Sequence, residues 1–600
     1  MKRRDTLTLA AAPLLLPTLP SRAAGGERVL RYAFPIAETG FDPAAINDTY
    51  SRIICCHIFD ALYEYDHLAR PARILPCTAA AMPEVSDDFR TWTIRIQPGI
   101  FFADDPAFKG RKRELVADDY VFSFKRFVDP AVKSPLWTSM QTWTMLGLAE
   151  LRADAVENKK PFDYDKPIEG LRALDRYTLQ LKLAEARPRL LENLAISDLF
   201  GALAREVVQA YGDAIMAHPV GTGPFRLAAW RRSSQIVLER NPAYRERLWD
   251  CQPAATDAEG QAIAAKLRGR RLPLIDRVEV SIIEESQPRW LSFLNGQQNM
   301  IDRVPAEFIN IAYPGRQLAP NLAKMGVKAE LGLTADITLT IYNMEHPVIG
   351  GMQPERVALR RAINLGIDLE REIRLARRGM AVVAQGPLMP HTTGYDPAFK
   401  SENGEYNPAK AKALLDLYGY VDKDGDGWRE QPNGEPLVLE RSTQPDALSR
   451  QFDELWQRNM KDIGIRIQLK YAKWPETLKS VRTGQFMSWG IGYGGAGGDG
   501  QGSLARYYSK QAGQQNLSRF SLPAFDEIYD RAQVLPDGPE RLALFKQAQR
   551  LGLAYAPYKN HTHRYVLDMV HRQVVGYRRP LYWNPWWQFV DIEPDTRAVA

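Results

Sequence analysis

The stretch His218-Pro219-Val220-Gly221-Thr222-Gly223-Pro224-Phe225-Arg226-Leu227 decides how the rest of the chain is read. Two glycines and two prolines stand among the consecutive residues Pro219 to Pro224. Proline fixes φ and glycine admits φ > 0, so the segment predicts a rigid, tightly bent loop. A strand-like run follows at Ile236-Val237-Leu238, and Arg240-Asn241-Pro242-Ala243-Tyr244 ends it. Gly-x-Gly alone fits an ordinary turn before a strand. No Gly-Lys-Ser/Thr follows, which argues against a phosphate cradle.

The chain has 600 residues, 45% apolar and 25% charged. That length suggests about four domains, and the composition is that of a globular protein. Aromatics make up 10%, with 13 Trp and 25 Tyr, which suits both aromatic-lined pockets and large cores. Residues 1–24 read as a signal peptide: Lys2-Arg3-Arg4, a short apolar run from Leu7 to Leu19, and the small-x-small site Ser21-Arg22-Ala23. The paired arginines hint at twin-arginine export, and Asp5-Thr6 keeps the general secretory route open. No cysteine follows the cleavage region, and no later apolar run is long enough to span a membrane. Net charge is +6, half of it from Lys2, Arg3, Arg4 and Arg22 against Asp5, and there is no long basic block. Nucleic-acid binding is therefore not expected.

Hydrophobic spacing lays out the elements. Val29 to Phe34 reads as a strand, and Asp48 as the cap of a helix carrying Ile53, Ile54, Ile58 and Leu62. Trp92/Ile94/Ile96, Leu179/Leu181/Leu183, Val278/Val280/Ile282, Ile337/Leu339/Ile341 and Ile465/Ile467/Leu469 alternate as strands do. Asp118 reads as a helix N-cap, and Asn407-Pro408 starts a helix that Gly419 ends. Cys251 to Arg271 reads as an inserted loop or exposed helix. From Val278 onward strands alternate with helices, which argues α/β lobes.

Chemical motifs are few. Asp422-Lys423-Asp424-Gly425-Asp426-Gly427 resembles the first half of a calcium loop, but Asn433 stands where the bidentate glutamate belongs. Asp422, Asp424 and Asp426 are thus weak metal candidates, and a solvated hairpin is the plainer reading. His561 and His563 would share a face in a strand, without an obvious third ligand. No Gly-x-Ser-x-Gly, Ser-x-x-Lys or His-Glu-x-x-His occurs, so an enzyme has no positive argument and no cofactor is implied. Cys55, Cys56, Cys77 and Cys251 permit disulfides in an exported protein. A bond from Cys55 or Cys56 to Cys77 closes a short loop and is the preferred pairing, with buried free thiols as the alternative.

Five strings, in order, resemble the periplasmic oligopeptide- and dipeptide-binding family, the family 5 solute-binding components of ABC importers. They are Asp60 to Asp66; Phe89 to Phe102 with Val116 to Phe127; His218 to Arg245; Leu291 to Ile301; and Glu355 to Asp368. Against the family pattern, an insertion from Ala103 to Glu114 splits the second string. The resemblance implies a two-lobed, type II periplasmic-binding-protein-like α/β fold with hinged lobes and an extra α/β domain. It assigns 25–57, 175–280 and 555–600 to lobe I, 58–174 to the extra domain and 281–554 to lobe II. Ligand would lie between lobes that close on it, and the closed form would dock on an ABC permease of the inner membrane.

In peptide binders of this family a helix tryptophan precedes a loop of the type Gly-Trp-x-x-Asp. Trp474 matches the tryptophan, and Gly492-Tyr493-Gly494-Gly495-Ala496 falls on the loop. Tyr493 takes the aromatic place and Ala496 the place of an aspartate that pairs with a peptide's α-ammonium. An ammonium is costly to bury without a carboxylate. Either Asp499 reaches in, the ligand has no free amine, or another acid such as Glu38 supplies the charge. Phe41 and Tyr342 are further candidates for aromatic pockets, and the glycine loop's backbone could pair with an extended peptide. The resulting expectation is a periplasmic monomer that captures a peptide or peptide-like solute and performs no covalent chemistry. The alternatives are a non-peptide solute on the same fold, an exported hydrolase, or an envelope chaperone.

Overall fold

The computed structural model describes residues 26–594 apart from 47, 496, 583 and 584. Residues 1–24, read above as a signal peptide, and Ala496 and Trp583 lie outside the described residues.

Val29–Phe34 pairs in parallel with Arg277–Ile282, and the antiparallel hairpin Phe225–Arg231/Gln235–Arg240 completes a four-stranded sheet. Leu30, Phe34, Ile236, Leu238, Val278 and Val280 bury its apolar faces against the helix Thr49–Ile58. Asp48 caps that helix as its position predicts, accepting a hydrogen bond from Ser51 N at 2.8 Å.

The opening stretch pins the hairpin to the end of this helix. Gly223 N donates to Ile58 O at 2.9 Å, and a Cβ on Gly223 would meet that oxygen at 2.6 Å. A Cβ on Gly221 would collide with the same carbonyl. Neither glycine has positive φ. Close backbone approach, rather than a left-handed turn, is what requires them.

A second sheet, Glu84–Val85, Thr91–Arg95, Thr178–Lys182 and Leu171–Asp175, forms the extra domain over its own core of Trp92, Ile94, Tyr120, Phe124, Leu179 and Leu181. Its last hairpin corrects the boundary expected at 174: Thr178–Lys182 pairs with Leu171–Asp175 and Thr91–Arg95, not with lobe I. The helix Ala117–Arg126 starts one residue before the predicted cap, and Asp119 rather than Asp118 reaches back to Val116 N at 2.8 Å.

The third sheet has eight strands, in the order Met300–Ile301, Tyr558–Val570, Asp336–Tyr342, Ser488–Gly494, Val438–Thr443, Arg466–Tyr471, with Lys328–Leu333 and Ala381–Val383 also paired to Tyr558–Val570. Helices cover both faces, over one core around Ile337, Trp489, Tyr507 and Phe545 and another around Leu359, Leu415, Trp456 and Met460. Tyr558–Val570 joins the lobes. Tyr558 packs in the core of lobe II and Val570 in that of lobe I. It therefore belongs to the lobe II sheet for half its length, which corrects its assignment to lobe I. Lys328–Leu333 runs antiparallel beside its second half, so two adjacent strands cross between the lobes.

The segment 251–271 is not a mere surface insertion. Its helix Ala258–Leu267 buries Ala264 and Leu267 beside Trp249. The preferred disulfide is also corrected: Cys55, Cys56, Cys77 and Cys251 are all free and buried. The Cys77 thiol is held by the Asp60–Arg245 pair, with Asp60 Oδ1 at 3.7 Å and Arg245 NH2 at 3.4 Å, and Cys56 Sγ donates to Ile53 O at 3.2 Å. Burial pushes all four thiols up, which leaves them unreactive.

Candidate functional site

Val438–Thr443, Arg466–Tyr471 and Ser488–Gly494 run parallel, so their carboxyl ends open on one edge of lobe II. In α/β sheets of this kind ligands take the crevice at that edge. The chain turns there into the helix Ala447–Asp462, the helix Trp474–Arg482 and the glycine loop. Tyr471, Trp474 and Leu448 expose 55%, 45% and 49% of their surface at this end of the sheet. Clustered exposed apolar groups mark an interaction surface more than a fold requirement.

The glycine loop is fixed by close contacts on both sides. Gly495 N donates to Ala335 O at 2.6 Å, and Thr393 N donates to Gly498 O at 2.7 Å. A Cβ on Gly500 would collide with Thr393 O. Across the crevice, a Cβ on Gly497 would stand 3.0 Å from Glu192 Oε2 and 3.6 Å from Tyr65 Oη, and one on Gly498 3.3 Å from Tyr582 Oη. Gly495, Gly497, Gly498 and Gly500 are thus crowded by Ala335 and Thr393 on one side and by Tyr65, Glu192 and Tyr582 on the other.

The Asp499 carboxylate is engaged by two arginines. It accepts two hydrogen bonds from Arg541 NH2, at 2.7 and 2.9 Å, and pairs with Arg189 Nε at 2.7 Å. Arg189 comes from the far side of the crevice and also donates to Leu535 O and Gln533 O, at 2.8 and 2.7 Å. The Asp499 pair therefore ties the two sides of the seam together.

Four other predicted residues are corrected. Tyr493 follows Trp489 and Ile491 onto the core face of its strand, because alternate side chains point to opposite faces. Its ring lies 5.2 Å from the Arg506 guanidinium, and burial pushes its hydroxyl up to about 12. Phe41 has no exposed surface and packs on Trp230 at 4.7 Å. Tyr342 is likewise enclosed and donates to Asn364 Oδ1 at 2.8 Å. Glu38 is buried, accepting from Trp230 Nε1 at 2.5 Å and Ser233 N at 3.2 Å, so it holds the lobe I hairpin. Trp474, Gly494 and Gly495 stay at the rim of the crevice, Gly494 exposed and Gly495 half-buried.

The structure adds Glu192, on the short helix Leu190–Asn193. No motif surrounds it in the sequence, and only the fold brings it to residue 497. Burial, and then the neighbouring Asp499 charge, push its carboxyl up to about 7 against the pull of Arg189. No described residue donates a hydrogen bond to that carboxylate.

The carboxylate oxygens of the weak metal candidates Asp422, Asp424 and Asp426 lie within 4.8 Å of one another on a surface turn. All three are exposed and turn back on their own loop, Asp422 accepting from Gly425 N and Gly427 N at 2.7 and 2.9 Å, while Arg466 pairs with Asp426 at 3.0 Å. His561 and His563 do not converge. His561 lies between Glu372 and Thr340, at 2.7 and 3.0 Å, and His563 Nδ1 bonds Asp336 O at 2.7 Å.

Comparison with known proteins matches residues 73–515 to the model of the bacterial extracellular solute-binding proteins, family 5. The chain is 25% identical to the di/tripeptide-binding protein 2 of Pseudomonas aeruginosa, over 96% of this chain and 97% of the relative. It is 24% identical to the heme-binding protein A of Haemophilus influenzae, over 96% and 97%. The solved periplasmic binding protein DppA of Helicobacter pylori, in complex with the peptide STSA, superposes with a TM-score of 0.69 at 23% identity, covering 94% of this chain and 98% of that one. No helix among the described residues is long and apolar enough to cross a membrane.

Proposed function

The chain belongs to the bacterial extracellular solute-binding proteins of family 5, and from that footing we propose that it captures a peptide or peptide-like solute in the periplasm and delivers it to an ABC permease. The observation that carries this reading is the crevice itself. The carboxyl ends of three parallel strands meet there, exposed apolar side chains stand at their mouth, and Glu192, Tyr65 and Tyr582 face the glycine loop from the other side. An extended peptide could pair its main chain with such a loop while its side chains rest on Trp474 and Tyr471. The reaction is binding alone. A ligand that contacts both lobes prefers the form in which they are together, and that difference in affinity drives closure.

The protein purified from an exporting culture should release short peptides in native mass spectrometry. Trp474→Ala should lower peptide affinity about tenfold, the loss of one aromatic contact of about 1.4 kcal/mol. Release of a discrete non-peptide compound would favour a second reading, a non-peptide cargo. That reading is supported by Ala496 in the acidic position and by the similarity to a heme-binding relative.

A further inference from the structure

One edge of the large lobe II sheet opens on a cavity. Among the described residues, the strand Ala381–Val383 pairs with Tyr558–Val570 alone. Val382 lies opposite His563, Ala384 N donates to His561 O at 3.0 Å, and Tyr565 N donates to Met380 O at 3.0 Å. Main-chain groups alternate sides along an antiparallel strand, so those of Ala381 and Val383 point away from this ladder. Among the described residues, none outside the ladder bonds them. The segment that covers the edge stops short of them: Ser401 N donates to Gln385 Oε1 at 3.1 Å and Asn403 Nδ2 to Ala384 O at 2.8 Å. Ala381 is buried and Val383 half-buried, and unpaired main-chain groups in such surroundings are costly.

A cavity of about 520 Å³ is lined by this strand, a size usual for a ligand site. Tyr395, Phe399 and Tyr565, all half-buried, stand among its walls with Ile373 and His563. His563 Nδ1 is held on Asp336 O at 2.7 Å, which leaves Nε2 as an acceptor. The cavity is separate from the crevice. Thr338 pairs with both Gly492 and Thr562, and Thr562 pairs with Val383. The open edge therefore stands three strand spacings, about 14 Å, from the glycine strand. Neither Tyr471, Trp474 nor any of residues 492–498 lines the cavity.

We propose that this cavity is a second ligand site, which takes a short extended peptide segment as an added strand on Ala381–Val383. The N–H and C=O groups of Ala381 and Val383 supply its main-chain bonds, as in other sheet edges that capture peptides. A large apolar or aromatic side chain of the segment lodges among Tyr395, Phe399 and Tyr565. Recognition through the main chain makes the site tolerant of sequence. The site stands on the sheet edge and the cavity, and does not depend on the ligand proposed for the crevice.

The test is hydrogen exchange of the full chain, read by mass spectrometry, with acetyl-Ala-Phe-Ala-amide as the probe. Its capped ends leave only a main chain and one aromatic side chain to be recognised. Exchange at Ala381 and Val383 should slow as the peptide is raised into the millimolar range. The same peptide methylated on its residue nitrogens keeps the side chains but loses those donors, and should act at least about tenfold more weakly. Val383→Pro removes one outward N–H and leaves the bonds to His563 in place, since proline is tolerated on a sheet edge. It should weaken the response at Ala381 by about the same factor and leave any response of Ser488–Gly494 unchanged. Unaltered exchange at Ala381 and Val383 overturns the proposal. So does equal slowing by the methylated peptide, an arm that needs no variant. In either case a response at Ser488–Gly494 keeps the crevice as a peptide site. Slowing at Ala381 and Val383 without one at Ser488–Gly494 upholds the second site and counts against the crevice.

Discussion

Arg579→Met should lower the unfolding free energy by about 3–5 kcal/mol, the usual effect of stripping the partner from a buried charge. Arg579 stands where the crossing strands leave lobe I. Its NH1 donates to Asp302 Oδ1 at 2.8 Å and to both oxygens of Asp568, at 2.7 and 2.6 Å. Asp568 is fully buried and accepts further bonds from Tyr577 Oη and Arg303 N, at 2.6 and 2.9 Å. Tyr32 Oη donates to Asp302 at 3.0 Å. Burial pushes Asp568 up, whereas at Asp302 the Arg579 and Arg303 charges outweigh burial and hold the carboxyl below the usual range. Methionine keeps much of the side-chain volume over Gly332 and removes the charge, which leaves two adjacent carboxylates facing each other. Arg95→Met is the control, because the Arg95–Glu84 pair is 68% exposed on both sides and should contribute no more than about 1 kcal/mol. Equal urea midpoints for the two variants would refute the role given to Arg579.

The second large effect is expected at the stretch from which the fold was read. Gly221→Ala places a methyl group on Ile58 O and within 2.9 Å of the Phe59 ring. Ile58 and Phe59 are enclosed, and Ile58 O already accepts Gly223 N, so neither side has room to move. The loss should reach the upper end of the 1–3 kcal/mol typical of overpacking, about 3 kcal/mol. Gly502→Ala provides the contrast, since nothing lies within 4 Å of its added Cβ and its φ is not positive. It should be neutral to within about 0.5 kcal/mol. A Gly221→Ala protein as stable as Gly502→Ala would show that close approach is not the reason for the motif.

What the sequence discloses follows from the range over which each signal acts. Arg277–Ile282 and Arg466–Tyr471 were legible because one covered face imposes alternation on a local window, and Val29–Phe34 as a short, mostly buried apolar run. Asp48 and Asn407 were legible as caps because capping is local as well. The partner strands of Tyr558–Val570 lie more than a hundred residues away in the chain, and nothing near it reports which lobe it joins. The same limit governs the site. Trp474 was legible as a helix start at a strand's carboxyl end. Tyr493 was not, because an apolar run does not fix which of its side chains face the core. Phe41, Tyr342 and Glu38 are residue types that cores and hairpins use as readily as ligand pockets do. Glu192 had no local signal, since its meaning arises only where residue 192 meets residue 497. The cysteines misled because short loop closure favours a disulfide, while the fold commits the Cys77 thiol to Asp60 and Arg245.

Small-angle X-ray scattering of the ligand-free protein, and of the same protein saturated with the peptides it releases, tests the central claim most directly. If the ligand is held between two lobes on crossing strands, saturation should reduce the radius of gyration and narrow the distance distribution, and Trp474→Ala should need more peptide to reach the same end point. Peptide binding confirmed by calorimetry with no change in the scattering curve would contradict capture between the lobes.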